Sequence, residues 1–293
     1  MTLRHVLLAI LVTFLWGSNF IFIKLGLNTS PPLFLGFMRF AAVGLLAFFI
    51  PRPKIAWSIL IALGFFMFFA QFSLTFVSMK LGLPTGLTSV IIQSQVIFTI
   101  AFISIIERKL PSRGTIIGIC IALIGLWCIG DSVAGDKEIT LVEFSLVLIA
   151  AMCWGVGNLL MGRLGQVDMV ATITWMALVS TPFFAAISLV FEGPTLIWQS
   201  VLNFNWTTAL SVLFISYIST SISYTGWGWL IRNYGASAVS PYSLLVPITG
   251  VISAALILDE VFDALRASGI ALILVGLAVL SVLRYREAKA IKS

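Results

Sequence analysis

The chain has 293 residues, of which 60% are hydrophobic and 10% are charged. A water-soluble domain carries about a quarter charged residues, so the composition excludes a soluble globular protein and predicts an integral membrane protein whose fold is set by lipid. The formal charge is +6, but the basic residues are dispersed in short loops, which argues against nucleic-acid binding. The three cysteines lie in apolar segments, which favours helix packing over a disulfide or a metal site.

Ten apolar segments follow one another along the chain, each about 17 to 25 residues long, as a helix needs to cross roughly 30 Å of hydrocarbon. The first segment, after Arg4 and His5, is too long for a signal peptide and has no small-residue cleavage site, so we interpret it as a retained span. The predicted spans, numbered one to ten, are 5–26, 33–50, 56–78, 84–106, 114–130, 140–162, 169–191, 207–230, 236–258 and 267–284.

Spans one and three each present polar side chains on one helical face. Trp16 and Asn19 lie three residues apart in span one, and Gln71, Thr75 and Ser78 share a face of span three. A polar side chain at membrane depth needs a partner or a wet cavity, so these residues are candidates for a binding site. The alternative for each residue is a hydrogen bond between helices, worth about 0.6 kcal/mol.

Arg39 in span two is a charged residue within the predicted bilayer. An arginine at a helix centre costs about 2.5 to 3.5 kcal/mol on the insertion scale. Three roles stay open for it. The first is that the side chain reaches the outer surface, the second that it pairs with helix-end carbonyls or with Glu260, and the third that it contacts a substrate carboxylate.

Spans four and six add amide and aromatic side chains. Gln93 and Gln95 of span four are two residues apart, about 200° around a helix, so we expect only one of them to face a shared cavity and favour Gln93. In span six, Trp154 and Asn158 share one face at a spacing of four residues.

Span eight carries the longest polar stripe, formed by Tyr217, Thr220, Ser221, Tyr224 and Gly228. Span nine is interrupted by prolines and holds Tyr242. Polar stripes on five or six helices together require a shared aqueous interior. The predicted substrate site comprises Trp16, Asn19, Arg39, Gln71, Gln93, Trp154, Asn158, Tyr217, Tyr224 and Tyr242.

The two halves of the chain repeat each other. Trp16-Gly17 with Asn19 in span one returns as Trp154-Gly155 with Asn158 in span six. Because five spans separate the copies, the halves cross the bilayer in opposite senses, which is typical of inverted-repeat transporters. We predict a first repeat over 5–130, a second over 140–284 and a cytoplasmic tail over 285–293.

Two further correspondences support the repeat. The glycine pair at 118 and 125 in span five matches the pair at 269 and 276 in span ten, where small residues let helices approach closely. More weakly, Glu107 ends span four and Glu260 ends span nine.

Lysine and arginine are distributed unequally between the two sets of span ends. Most lie on the side of the amino terminus, and the opposite ends carry only Lys24, Lys80, Lys137 and Arg266. The positive-inside rule therefore predicts that both termini are cytoplasmic.

The acidic residues fall at span ends or in loops. A proton-driven exporter of cations typically needs a buried carboxylate, so this distribution favours a neutral or zwitterionic substrate. His5 is the single histidine and lies at the terminus, which excludes a histidine-based catalytic site at membrane depth. We therefore expect neither an enzyme nor a cofactor or metal.

The chain resembles the EamA-like permeases of the drug/metabolite transporter superfamily over its whole length. Within that family it is similar to the bacterial exporters of O-acetylserine and cysteine. The matching elements are Trp16-Gly17-Ser18-Asn19-Phe20 with Lys24, Arg39-Phe40, Ala70-Gln71-Phe72, Gln93-Ser94-Gln95, Glu107-Arg108, Trp154-Gly155 with Asn158, residues 240–247 (SPYSLLVP) and Asp259-Glu260.

The resemblance implies ten transmembrane helices in two inverted five-helix repeats in a bacterial inner membrane. It also implies a central cavity lined mainly by helices one, three, four, six, eight and nine, with helices five and ten at the periphery. The expected function is export of small zwitterionic amino-acid metabolites of the cysteine and O-acetylserine class by alternating access, as a monomer in contact with membrane lipid. A broader aromatic amino-acid or multidrug permease, and a receptor or scaffold without flux, stay open.

Overall fold

The computed structural model describes residues 1–136 and 140–290, and this part of the chain is helical with short connections. Lys137 and the last three residues of the predicted tail lie outside the described residues. The helices are α1 (Leu3–Thr29), α2 (Pro32–Gly44, continued by a 3₁₀ turn over Leu45–Phe48), α3 (Trp57–Leu81), α4 (Thr85–Glu107), α5 (Arg113–Ala134), α6 (Leu141–Gly162), α7 (Met169–Phe191), α8 (Gly193–Leu202), α9 (Trp206–Tyr234), α10 (Ala236–Val239, then Ser240–Leu244 and Leu245–Ile257) and α11 (Ala264–Ala290).

Eight of these helices are long and apolar enough to cross a membrane, so the chain is a multi-pass membrane protein. The exceptions among the predicted spans are two and nine, whose apolar helices run over Pro32–Phe48 and Pro241–Ile257. At a rise of 1.5 Å per residue, a helix of about 17 residues reaches about 25 Å, short of the roughly 30 Å hydrocarbon core. The ten predicted helical segments are present in order, and the crossing of the bilayer by all ten stays a prediction.

Helix α8 is an element that the sequence analysis missed, because it lies between predicted spans seven and eight. Gly193 adopts a left-handed conformation with φ of 76°, and Pro194 follows in the first turn, where its missing N–H costs nothing. Trp198 is exposed on this helix, whereas Ser200 is buried and donates to Ser30 Oγ at 2.9 Å. Predicted spans eight, nine and ten therefore correspond to α9, α10 and α11.

Hydrogen bonds between helix ends define two opposite faces of the bundle. On the face that holds the amino terminus, here called the terminal face, His5 bonds to Tyr234 at the end of α9. On the other face, here called the glutamate face, Glu192 at the end of α7 binds the first turn of α2. On that same face the Lys80 ammonium donates to the Leu27 carbonyl at 2.6 Å, joining the ends of α3 and α1.

Corresponding helices of the two halves share local irregularities. The third predicted span of each half contains a π-helical segment, over Gly64–Ala70 in α3 and over Phe214–Ile222 in α9. The fourth predicted span of each half contains a 3₁₀ turn, over Ile92–Ser94 in α4 and over Ser240–Leu244 in α10. π-Segments are rare in proteins, so their recurrence at equivalent places supports a common origin of the halves.

The glycines of α5 and α11, which correspond to predicted spans five and ten, form the predicted packing surface. A Cβ atom at Gly125 would lie 2.7 Å from the Gly269 carbonyl oxygen, and one at Gly276 would lie 2.7 Å from the Gly118 carbonyl oxygen. The backbones of α5 and α11 therefore approach more closely than any side chain allows. Gly17 of α1 and Gly155 of α6 likewise abut α10 and α4, so the repeated motif also makes equivalent contacts.

Candidate functional site

A cavity of about 570 Å³ lies between the halves and is the candidate functional site. Among the described residues, its walls come from nine helices, including α11, which contributes Leu280 and Ser281. The tenth span, expected at the periphery, therefore also contributes to the cavity wall. Eight of the ten predicted site residues line this cavity, and their role in substrate binding stays a prediction: Trp16, Asn19, Arg39, Gln71, Gln93, Trp154, Asn158 and Tyr224.

Arg39 is held at the cavity wall by α9 and by aromatic rings. Its Nε and Nη2 atoms donate to Thr220 Oγ1 at 3.2 and 2.9 Å, and its guanidinium carbon lies 4.1 Å from the centre of the Phe72 ring. The residue is 1% exposed, so it does not reach the surface. Its Nη1 atom is buried without a hydrogen-bond partner.

The suggested pairing of Arg39 with Glu260 is wrong. The Glu260 carboxylate accepts instead from the backbone N–H groups of Thr85 and Gly86, at 2.6 and 2.9 Å. A helix amino terminus offers unpaired N–H donors and a favourable dipole, which explains why the carboxylate binds there. Glu192 makes the same pair of bonds to α2, so Glu192, rather than Glu107, matches Glu260 in its contacts.

Gln71 and Asn19 present buried carbonyl oxygens at the same cavity. Gln71 is 2% exposed, and its Nε2 donates to Thr75 Oγ1 at 3.2 Å while that hydroxyl donates to the Gln71 backbone carbonyl. This arrangement fixes the amide orientation and leaves Gln71 Oε1 without a partner. Asn19, 6% exposed, likewise leaves its Oδ1 without a partner.

Gln93 and Gln95 both line the cavity, which corrects the expectation that only one of them would. The 3₁₀ turn over Ile92–Ser94 explains the difference, because at about 3.0 residues per turn their directions diverge less than in an α-helix. Each also joins another helix. Asn158 Nδ2 donates to Gln95 Oε1 at 2.5 Å and to Thr99 Oγ1 at 3.1 Å, and Gln93 donates to the Ser243 carbonyl at 3.3 Å.

The predicted stripe on α9 is divided by the π-helical segment. Thr220 and Ser221 donate to carbonyls five residues earlier, which satisfies backbone groups of the π-segment. Tyr224 lines the cavity, and Trp16 is fixed beside it by a hydrogen bond from Nε1 to the Ser219 carbonyl at 3.0 Å. Ser78, predicted to share the face of Gln71, donates instead to the Glu143 carbonyl at 2.7 Å.

Tyr217 and Tyr242 lie outside the cavity lining. The Tyr217 hydroxyl donates to the Ala42 carbonyl at 3.1 Å because the π-segment turns it toward α2. Tyr242 packs against a small apolar cluster around Leu230 and Val239. A regular helical period cannot predict either displacement, because the period itself changes within the helix.

Sequence reasoning missed the lining residues near the terminal face, which include Met161, Met169, Trp227 and Ile231. Met161, Met169 and Ile231 are apolar, and the sequence does not distinguish an apolar side chain that faces a cavity from one that faces lipid. Trp227 lies three residues after Tyr224, and this helical spacing could have identified it. The described residues contain no group of His, Cys, Asp and Glu side chains suited to a metal ion.

Comparison with known proteins agrees with this architecture. A "Probable amino-acid metabolite efflux pump" of Escherichia coli is 35% identical over 100% of this chain and 99% of its own length. A relative of the same name from Salmonella typhimurium is 35% identical over 93% of both chains. An "Uncharacterized inner membrane transporter" of Escherichia coli is 25% identical over 81% of this chain and 78% of its own.

A solved crystal structure aligns with a TM-score of 0.65 over 97% of both chains at 16% identity, which shows a shared fold. The model of the EamA-like transporter family matches residues 3–130 and 142–282. Together with the two full-length relatives, this match shows that the chain is a membrane transporter of the EamA-like transporter family.

Proposed function

We propose that the protein exports small amino-acid metabolites, of the cysteine and O-acetylserine class, across a bacterial inner membrane. The observation that carries the proposal is the central cavity, which is lined by aromatic side chains and by residues with buried polar atoms that lack a hydrogen-bond partner. A site of this kind suits a small ligand with both polar and apolar parts. The names of the two relatives at 35% identity support the amino-acid class.

The proposed mechanism is alternating access by two inverted halves of five spans each, ten spans in total. Equivalent π-segments, 3₁₀ turns and glycine contacts support a repeat. Its inversion is supported by the opposite directions of α3 and α9, which end at the glutamate face and at the terminal face. The cavity lining extends to Met161 and Met169 at the terminal face but ends at Ile23 and Thr75 inside the opposite one. With both termini cytoplasmic, this conformation opens inward, ready to load a substrate for export.

A broader aromatic amino-acid or multidrug permease is the second candidate, favoured by the size and walls of the cavity. A volume of about 570 Å³ lies within the range of drug-sized ligand sites. The rings of Trp16, Trp154, Tyr224 and Trp227 line it, and such surfaces accept flat apolar groups.

Counterflow in proteoliposomes tests the proposal. Vesicles preloaded with unlabelled cysteine or O-acetylserine should transiently accumulate the labelled compound, and vesicles without protein should not. Unlabelled phenylalanine, tryptophan and a lipophilic amine as competitors separate the narrow substrate class from the broad one. Saturable binding without counterflow would indicate a receptor and contradict transport.

A further inference from the structure

Three buried polar atoms in the cavity have opposite hydrogen-bonding characters. Arg39 Nη1 is a charged donor, whereas Asn19 Oδ1 and Gln71 Oε1 are acceptors, and all three lack a partner. Each of these residues is at least nine-tenths buried and lines the same cavity. Burying a polar group without a hydrogen-bond partner costs free energy, so we expect a bound ligand to supply the missing hydrogen bonds of all three atoms.

The charge of Arg39 is not neutralised by the protein. Among the described residues, the ion pairs formed are those of Arg266 with Asp136 and Asp263, and no carboxylate lies within 4 Å of the Arg39 guanidinium. Its remaining contacts are the neutral hydroxyl of Thr220 and the faces of Phe72 and Phe40. An arginine held by one hydroxyl, with its Nη1 atom left without a partner, is suited to an incoming carboxylate.

The two amide oxygens are suited to a cation. Thr75 accepts from the Gln71 amide nitrogen, which fixes the amide orientation and leaves its oxygen without a partner. Amide carbonyl oxygens accept from ammonium groups without contributing a negative charge, and the residues that line the cavity include no acidic side chain. An acceptor pair of this kind retains an ammonium group without holding it as tightly as a carboxylate would, which suits a site that must also release its ligand.

We propose that the cavity recognises the two charged ends of a free α-amino acid, with Arg39 binding the carboxylate and Asn19 and Gln71 binding the ammonium group. This assignment rests on the proposed function and makes it more specific. Compounds that keep the side chain but lack either charged end bind weakly. The aromatic walls contact the side chain and set a looser limit on its identity.

Equilibrium binding of labelled cysteine to the purified protein under reducing conditions tests the assignment. The competitors are cysteamine, which lacks the carboxylate, and 3-mercaptopropionate, which lacks the ammonium group. A parallel set uses labelled phenylalanine with phenethylamine and 3-phenylpropionate. The wild-type protein should prefer the amino acid over either truncated compound by about tenfold to a hundredfold, as expected for the loss of hydrogen bonds to a charged group.

Substitutions should remove the two preferences separately. Arg39→Gln should weaken cysteine and 3-mercaptopropionate but leave cysteamine unchanged, whereas Asn19→Leu and Gln71→Met should weaken cysteine and cysteamine but leave 3-mercaptopropionate unchanged. Arg39→Lys, which keeps the charge, provides a second variant and should retain part of the carboxylate preference. Ser211→Ala is the control, since Ser211 is buried without a partner but lies outside the cavity lining.

The outcomes distinguish the two proposals. Binding of an amino acid by the wild-type protein with equal affinity for its truncated analogues would overturn the two-ended site and leave amino-acid export standing. Equal losses for all three compounds in folded Arg39 and Gln71 variants would assign these residues to structure and also overturn it. Absence of saturable binding for both amino acids would contradict the proposed function itself.

Discussion

Asn158 joins two helices at the wall of the cavity through a single amide group. Both of its N–H donors are used on α4, by Gln95 and by Thr99, whose own hydroxyl donates to the Gln95 backbone carbonyl at 2.7 Å. The residue therefore combines the two roles that a polar side chain in a membrane can have, a place in a cavity and a bond between helices.

Asn158→Ala should reduce counterflow by about tenfold or more, because two hydrogen bonds of about 0.5 to 1.5 kcal/mol each would be lost where α6 meets α4. The measurement is the initial rate of counterflow at equal protein content in the membrane. Asn203→Ala, at an exposed residue after α8, is the matched control and should transport normally. An unchanged rate in the Asn158 variant would remove it from the site.

The sequence predicted the positions of side chains correctly where the helix is a regular α-helix and wrongly where it is not. Trp16 and Asn19 lie in the uninterrupted helix α1, and both line the cavity as the α-helical period predicts. Tyr217 lies inside a π-segment, and the same period placed it on the wrong face. The sequence identified Arg39 as unusual, but only the structure shows that Thr220 and Phe72 hold its guanidinium while Nη1 is left without a partner.

At the scale of elements, α5 and α11 form a rigid pair through their glycines. Because a Cβ at Gly276 would meet the Ala122 nitrogen and the Gly118 oxygen at 2.7 Å, a substitution there must separate two backbones. The sequence predicted this surface from the spacing of small residues. It could not predict α8, whose start depends on a left-handed glycine.

Gly276→Ala should lower the free energy of unfolding by about 1 to 3 kcal/mol through overpacking and reduce the melting temperature of the purified protein. Thermal unfolding followed by size exclusion in detergent measures the change. Gly162→Ala is the control, since nothing lies within 4 Å of a Cβ at that position. Equal melting temperatures for the wild-type protein and the Gly276 variant would show that α5 and α11 separate without cost.

Glu260 and Glu192 join helix ends at the glutamate face by binding the amino termini of α4 and α2. Losing a carboxylate at a helix amino terminus costs about 0.5 to 2 kcal/mol, and one or two kcal/mol changes a population by about 5- to 30-fold. Glu260→Gln should therefore increase labelling of a Thr75→Cys reporter from the glutamate face severalfold. Glu107→Gln, at an exposed residue, is the control. Equal labelling in the Glu260 and Glu107 variants would show that Glu260 does not keep the glutamate face closed.

At the scale of the whole molecule, the repeat and the order of the ten helical segments were predictable from the sequence. The lengths of the apolar segments and the duplicated motif can both be recognised without a structure. The state of the cavity was not predictable, because it depends on how the halves are inclined toward each other. Among the residues that line the cavity, Ile231 lies one turn before the end of α9 at the terminal face and is partly exposed, whereas Thr75 of α3 is 1% exposed. Transport by alternating access requires a second conformation in which Thr75 is accessible from the glutamate face and Ile231 is buried.

Side-specific labelling of single cysteines, with the three native cysteines replaced, tests that reversal most directly. An impermeant maleimide should react with Ile231→Cys from the cytoplasmic side. Adding O-acetylserine should slow this reaction and make Thr75→Cys reactive from the periplasmic side. Labelling of Ile231→Cys from the periplasm, or labelling of both cysteines that does not respond to any amino acid, would contradict a cavity that opens to one compartment at a time.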